Sequence, residues 1–128
     1  MSLHYRITKR RNNINNTDEP QYIMQAVSKG IIDLDKICYD ISQQCTLTES
    51  DVVGVVKALG NKLQDSLEQG YIVDMGDIGR FKLGFKGTAE LEPKLLSRKS
   101  IKKFILNYQP SKRMKNNLKK SIPVVKEK

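Results

Sequence analysis

The chain has 128 residues, of which 38% are hydrophobic, and a formal net charge of +9 at pH 7. This length suits one domain with a modest core, and the mean hydropathy of −0.51 indicates either long polar extensions or a core that a second copy of the chain completes. With one histidine, two cysteines and no convergent carboxylates, neither a catalytic triad nor a zinc site can be assembled, so we expect no enzyme, metal or cofactor.

The charge is distributed unevenly along the chain. Residues 1–17 carry four basic and no acidic side chains, residues 18–79 carry four basic and eleven acidic ones, and residues 80–128 carry fifteen basic and three acidic ones. The basic C-terminal part predicts an anionic polymer as the partner of one surface, while charge alone leaves DNA, RNA and an anionic membrane open. Without a signal-peptide core or an apolar run of membrane-spanning length, we expect a cytoplasmic protein.

The first 30 residues contain two candidate strands. Residues 3–7 alternate between apolar and polar side chains, which is the period of a strand, and residues 22–24 form a second short apolar run. The polar, turn-rich residues 12–20 separate the two. We expect residues 1–30 to be an N-terminal extension whose one or two strands pack on the sheet of the main domain.

Two amphipathic helices are predicted next. Asp33 or Asp35 can cap the first, and Thr48 with Asp51 forms a capping box that opens the second. Only two residues connect them, so the pair should be antiparallel or steeply crossed. The apolar faces consist of Leu34, Ile37, Cys38, Ile41 and Cys45 on the first helix and of Val52, Val56, Leu59, Leu63 and Leu67 on the second.

The two cysteines are expected to be free. Cys38 and Cys45 lie seven residues apart on the first predicted helix, about 10 Å at the helical rise, which is too far for a disulfide. They are better explained as buried thiols in a reducing compartment.

The period changes to two after Gly70, which predicts a hairpin. Gly70 suits the end of a helix because glycine takes the left-handed conformation without strain. Residues 72–73 form a short strand and residues 76–79 (GDIG) form a turn. In the strand that follows, Phe81, Leu83 and Phe85 form an apolar face, and Arg80, Lys82 and Lys86 form a basic one.

The C-terminal part completes the predicted sheet. Residues 87–100 have no clean period and are typical of an exposed loop or the tip of a β-arm. Residues 103–108 alternate as a third strand of the same sheet. Pro110 and Ser111 then open a last, basic helix. We expect residues 31–122 to form the main domain and residues 123–128 to be a flexible tail.

This order of elements, with several short motifs, resembles the HU/IHF family of bacterial histone-like DNA-binding proteins. Residues 47–52 (LTESDV) resemble the start of the family's second helix, residues 70–81 its hairpin, and residues 108–112 (YQPSK) the motif that opens its last helix. The match covers about residues 33–122. The N-terminal 30 residues are similar to those of an HU-related subfamily with a basic, tyrosine-rich strand before the helical pair.

The resemblance implies an α+β fold with two N-terminal helices, a three-stranded antiparallel sheet with a basic β-arm, a short C-terminal helix and an extra N-terminal strand, assembled as an intertwined homodimer. It also implies a nucleoid-associated protein that binds double-stranded DNA largely independently of sequence. The family's Arg-Asn-Pro arm tip is absent and Pro93 is its only substitute, so DNA bending does not follow from the resemblance.

Ten basic residues are the candidates for nucleic-acid binding, because family members contact phosphate from the arm and from the start of the last helix. Arg6, Lys9, Arg10 and Arg11 are basic too, but the resemblance does not place them. The candidates are Arg80, Lys82, Lys86, Lys94, Arg98, Lys99, Lys102 and Lys103 on the arm and Lys112 and Lys115 on the helix. The expected core and dimer interface consists of Ile41, Val52, Val56, Leu59, Leu63, Phe81, Phe104 and Tyr108.

Two other functions stay open on sequence alone. The same basic surface could bind RNA, or the chain could be an HU-like dimerisation and protein-interaction module whose N-terminal strand pairs with another protein's sheet edge. Single-strand binding is not favoured, because Phe81 and Phe85 alternate onto the expected core face and leave no stacking platform.

Overall fold

The computed structural model describes residues 2–10, 20–120 and 122–127, and this part of the chain forms three α-helices and six strands. No helix in these ranges is both long and apolar enough to cross a membrane. The helices are α1 (Leu34–Gln44), α2 (Glu49–Glu68) and α3 (Lys112–Lys119). The strands are β1 (Leu3–Arg10), β2 (Gln21–Val27), β3 (Val73–Asp74), β4 (Gly79–Gly87), β5 (Ile101–Pro110) and β6 (Val124–Lys126).

The predicted fold class, an HU/IHF-like arrangement around one three-stranded sheet, is wrong. The six strands form two sheets of three, in the orders β2-β1-β6 and β3-β4-β5. Strand β1 pairs antiparallel with β2 and parallel with β6, so the two N-terminal strands form one sheet with β6 and do not join the β3-β4-β5 sheet. The prediction of a flexible tail at residues 123–128 is also wrong for Val124–Lys126, because these residues form β6.

The physical reason for this difference is the free edge of β1. A strand that pairs on one side only leaves a row of unsatisfied backbone groups on the other. Here the Leu3 N–H donates to the Pro123 carbonyl oxygen at 2.8 Å, and the Glu127 N–H donates to the Tyr5 carbonyl oxygen at 2.9 Å. Strand β6 is three residues long and pairs with a strand at the opposite end of the sequence, so no local sequence signal predicts it.

The chain divides into two units. The first comprises Met1–Asp33 and Leu118–Lys128 and contains the β2-β1-β6 sheet. The second comprises Leu34–Asn117 and contains α1, α2 and the β3-β4-β5 sheet, in which both pairs of neighbouring strands are antiparallel.

Helix α2 begins and ends as the sequence predicts. The Asp51 N–H donates to Thr48 Oγ1 at 3.2 Å and the Thr48 N–H donates to Asp51 Oδ2 at 3.4 Å, which confirms the capping box. After the helix, Gly70 has a φ of 92°, and its N–H donates to the Leu67 carbonyl oxygen at 3.0 Å. The left-handed conformation at Gly70 turns the chain toward β3.

The buried core of the Leu34–Asn117 unit is small. Among the described residues of the whole chain, the buried hydrophobic side chains are Cys38, Val52 and Leu67. Cys38 on α1 is completely buried, whereas Cys45 lies beyond the end of α1 and is exposed. The prediction of two buried thiols on one helix face is therefore wrong for Cys45, because α1 ends at Gln44.

The eight residues expected in the core and dimer interface are covered to different extents in a single copy. Val52 is buried, and the half-buried members are Val56, Leu63 and Phe81. The exposed members are Ile41, Leu59, Phe104 and Tyr108. The helices and the β4-β5 pair thus leave apolar side chains uncovered in the single chain, and the interface role of these residues stays a prediction.

The turn before β4 is held by three side chains from the far end of β5 and the start of α3. The Tyr108 hydroxyl donates to the Ile78 carbonyl oxygen at 2.6 Å, and the Ser111 hydroxyl donates to the Asp77 carbonyl oxygen at 2.6 Å. Arg113 forms an ion pair with the Asp77 carboxylate at 2.6 Å. These contacts fix where β4 begins and therefore its register against β5.

Replacing Gly79 with alanine tests this register. Gly79 has a φ of 132°, and a Cβ there would collide with the Gln109 carbonyl oxygen. We expect Gly79→Ala to lower the free energy of unfolding by roughly 3 kcal/mol, because both the backbone conformation and the close approach require glycine. Gly54→Ala in α2, where an added Cβ meets nothing within 4 Å, should raise it by about 0.5–1 kcal/mol. Chemical denaturation measures the free energy of unfolding of both variants. Similar stabilities for the two would contradict the turn that precedes β4.

Candidate nucleic-acid interface

Strands β4 and β5 form a ribbon with two chemically different faces. In the register of the pair, Phe81 lies opposite Tyr108, and Phe85 lies opposite Phe104. The ring centroids are 5.1 Å apart in the first pair and 6.1 Å apart in the second. These residues form the apolar face of the ribbon together with Leu83 and Leu106, as the alternation in the sequence predicts.

The opposite face of the ribbon, the basic face, carries Arg80, Lys82, Lys86 and Lys103. Lys86 lies directly across from Lys103, and Lys82 lies across from Asn107. Like charges opposite each other on neighbouring strands are destabilising. Within the described ranges, no acidic side chain forms an ion pair with any of the three lysines. An anion bound between Lys86 and Lys103 would relieve their repulsion.

Arg80 differs from these lysines because an acid neutralises it. Its Nε lies 3.3 Å from Asp74 Oδ2, and Asp74 Oδ1 accepts a hydrogen bond from the Gly76 N–H at 2.9 Å. The Gly76 hydrogen bond and, to a smaller extent, the Arg80 guanidinium hold the pKa of Asp74 below its usual value. The carboxylate is therefore charged at neutral pH and competes with phosphate for Arg80.

The start of α3 brings further basic groups to the end of the ribbon at which Arg80 lies. Ser111 caps this helix, because its Oγ accepts the Met114 N–H at 3.0 Å, and Lys112 and Lys115 lie in the first turn. A polar cleft of about 270 Å³ beside the turn contains both Arg80 and Lys112. Its lining residues are Asp74, Gly76, Gly79, Arg80, Gln109, Pro110, Ser111 and Lys112.

Residues 88–100 form a folded loop. The Thr88 N–H donates to the Ser100 carbonyl oxygen at 2.8 Å, and the loop contains two short 3-10 turns, at Pro93–Leu95 and at Arg98–Ser100. The four remaining candidates lie on this loop or beside it. Lys94 pairs with Glu92 at 3.2 Å, Arg98 and Lys99 occupy the second turn, and Lys102 lies where the ribbon register shifts.

The structure thus separates the ten candidates into three groups. Lys82, Lys86 and Lys103 lie together on the basic face, and Arg80 and Lys112 line one cleft. The others lie on the loop, at the start of β5 beside it, or along α3. Sequence reasoning missed the acids that pair with two of them. The signal for Asp74 was present, since it directly follows the predicted strand at residues 72–73. In the structure it is the last residue of β3 and lies opposite Arg80 in the β3-β4 pair.

Comparisons with known proteins agree with an HU-like chain. Residues 1–125 match the model of the HU-HIG family, described as an HU domain fused to a wHTH, Ig or glycine-rich motif. A crystal structure from Bacteroides vulgatus, provisionally described as that of a bacterial DNA-binding protein, has a TM-score of 0.69 at 16% sequence identity. The alignment covers 98% of this chain and 49% of that one, so this chain spans about half the length of its structural relative and shares its fold. A search of curated proteins gives no significant match.

Replacing Asp74 with asparagine tests whether this acid restrains Arg80. We expect Asp74→Asn to raise the affinity for duplex DNA by about threefold at low salt, because it frees the guanidinium and removes one negative charge beside the basic face. Asp65→Asn, at an exposed position on α2, removes the same charge outside the ribbon strands and is the matched control. Equal effects of the two variants in a fluorescence anisotropy titration would show that only net charge matters.

Proposed function

Because the chain belongs to the HU-HIG family, we propose that it is a non-enzymatic protein that binds double-stranded DNA largely independently of sequence. The observation that carries this proposal is the Lys86 and Lys103 pair, with Lys82 on the same face and no acidic partner for the three among the described residues. Such a function belongs to the nucleoid, within the cytoplasm of a bacterial cell.

The proposed mechanism is neutralisation of phosphates by lysines. Lys82 and Lys86 lie four residues apart on one face, about 13 Å along the strand, a span over which duplex DNA presents several phosphates. Contacts to phosphate fix the position of the protein on the duplex but carry no sequence information. Binding should therefore be driven by release of counterions and should depend little on base sequence.

We further propose that the functional unit is a homodimer. Only three hydrophobic side chains are buried among the described residues, whereas Leu59 on α2 is 43% exposed and Phe104 on the ribbon is 61% exposed. A second copy that covers these apolar surfaces would supply the core that the single chain lacks. Two-fold symmetry would also give the assembly two basic faces, which doubles the number of phosphates it can contact.

Lys103→Glu tests the basic face directly. The variant creates an opposite-charge pair with Lys86, so the free energy of unfolding should rise by about 0.2–1 kcal/mol. Affinity for duplex DNA should nevertheless fall about tenfold at low salt, because each protomer loses a phosphate contact and gains a repulsive charge.

The matched control for this variant is Lys57→Glu at an exposed position on α2, which changes the net charge equally outside the ribbon strands. Anisotropy titrations with duplex DNA and with duplex RNA compare the two variants. An equal loss for both variants would contradict a local role of Lys103. Tighter binding of the wild-type protein to duplex RNA would move the proposal from DNA to RNA.

Leu59→Asp tests the homodimer. An aspartate at this position would place an unpaired charge in the proposed apolar interface, so we expect a monomer or an unfolded chain. Asn61→Asp on the same helix adds the same charge at an exposed polar position and should stay dimeric. Light scattering measures the mass of both variants, with circular dichroism to report folding. A Leu59→Asp protein that remains a folded dimer would show that this helix face is not the interface.

A further inference from the structure

The β2-β1-β6 sheet has an apolar face, here called the tyrosine face, that contains both tyrosines of the sheet. The pairing register places Ile7 beside Met24 and Leu3 beside Val124 on this face. It also places each tyrosine directly across from a lysine: Tyr22 opposite Lys9, and Tyr5 opposite Lys126. The tyrosine face consists of Leu3, Tyr5, Ile7, Lys9, Tyr22, Met24, Ala26, Val124 and Lys126.

The burial of this sheet is the reverse of what its chemistry predicts. A sheet with one covered face normally turns its apolar side inward. Here Tyr22 is 67% exposed and Met24 is 63% exposed, while Ile23 and Val27 on the opposite face are half-buried. In the described part of the chain most of the tyrosine face is therefore exposed, with Tyr5 half-buried, and the half-buried residues of β2 lie on the less apolar face. An exposed apolar surface of this kind marks an interaction site.

The charge around the tyrosine face indicates the chemistry of its partner. The unit that contains the sheet has seven basic residues and two acidic residues in its described ranges, and Glu127 is already paired with Arg6 at 3.1 Å. The two charged side chains on the tyrosine face itself are lysines, Lys9 and Lys126. A partner that matches this face has to be anionic and to offer flat apolar groups to the tyrosines.

We propose that the tyrosine face binds single-stranded nucleic acid, with a base stacked on Tyr22 and phosphates held by Lys9 and Lys126. Aromatic side chains that stack bases and cations that follow the backbone are the two components of single-strand binding. A second copy of the chain fits less well, because face-to-face packing would bury Lys9 and Lys126 without an acid on either side. This surface shares no residue with the basic face of the ribbon, and its occupant does not depend on the duplex proposal.

The test uses the full chain and a fluorescein-labelled oligothymidylate of 20 nucleotides, with an oligouridylate of the same length to distinguish DNA from RNA. Tyr22→Ala should weaken binding to the preferred oligonucleotide about tenfold, and Tyr22→Phe should restore it, because the stacking ring is kept. Tyr71→Ala is the matched control, since Tyr71 is 64% exposed and lies outside both proposed surfaces. Duplex affinity should be unchanged in all three variants.

Two results would overturn the proposal. One is oligonucleotide binding by Tyr22→Ala that equals binding by Tyr71→Ala, including the case in which the wild-type protein binds neither single strand. The other is a change in mass on light scattering for Tyr22→Ala with unchanged oligonucleotide affinity, which would identify the face as a protein interface. Either result leaves the duplex proposal intact, because that proposal is tested separately by the affinity of Lys103→Glu for duplex DNA.

Discussion

The two-residue period of the β4-β5 ribbon is the constraint on which the proposed function depends. Because successive side chains of a strand point to opposite faces, the register of β4 against β5 determines which side chains share the apolar face and which share the basic face. A slip of one residue would exchange Lys86 and Phe85 and destroy both faces. The hydrogen bond from Tyr108 to the Ile78 carbonyl oxygen and the close approach at Gly79 prevent that slip.

The two faces of the ribbon also connect the proposed DNA binding to the proposed homodimer. The apolar face contains two aromatic pairs, and in a single chain its residues Phe85, Phe104, Leu106 and Tyr108 are exposed, as is much of the apolar surface of the helices. A partner that covers the apolar face leaves the basic face free for a polyanion. The proposed self-association and the proposed phosphate binding would therefore not compete for the ribbon, since they would use opposite faces of it.

The helices and the hairpin could be predicted from the sequence because their signals are local. The capping box at Thr48, the glycine at position 70 and the alternation after Arg80 each lie within a few residues of the structure they specify. The second sheet could not be predicted, because β6 pairs with β1 from the far end of the chain. The resemblance to HU/IHF proteins favoured one sheet and so directed the N-terminal strands to the wrong place.

The candidate site was predictable as a list of charges but not as a geometry. The sequence does not show which basic side chains lie beside an acid, so Arg80, Lys94 and Lys86 are equal candidates for phosphate binding on sequence alone. In the structure Asp74 pairs with Arg80 and Glu92 pairs with Lys94, whereas Lys86 forms no such pair among the described residues. The tyrosine face was missed for a different reason. The phenylalanines of the ribbon alternate onto its apolar face and offer no stacking platform, whereas the pairing of Tyr22 with Lys9 depends on the long-range register of β1 and β2.

The most direct test of the central claim is the salt dependence of the affinity for duplex DNA, measured between about 50 and 200 mM salt. If a dimer neutralises about eight phosphates, the logarithm of the association constant should fall with the logarithm of the salt concentration at a slope of about −7. A slope near zero would show that lysine-to-phosphate contacts do not hold the duplex and would contradict the account.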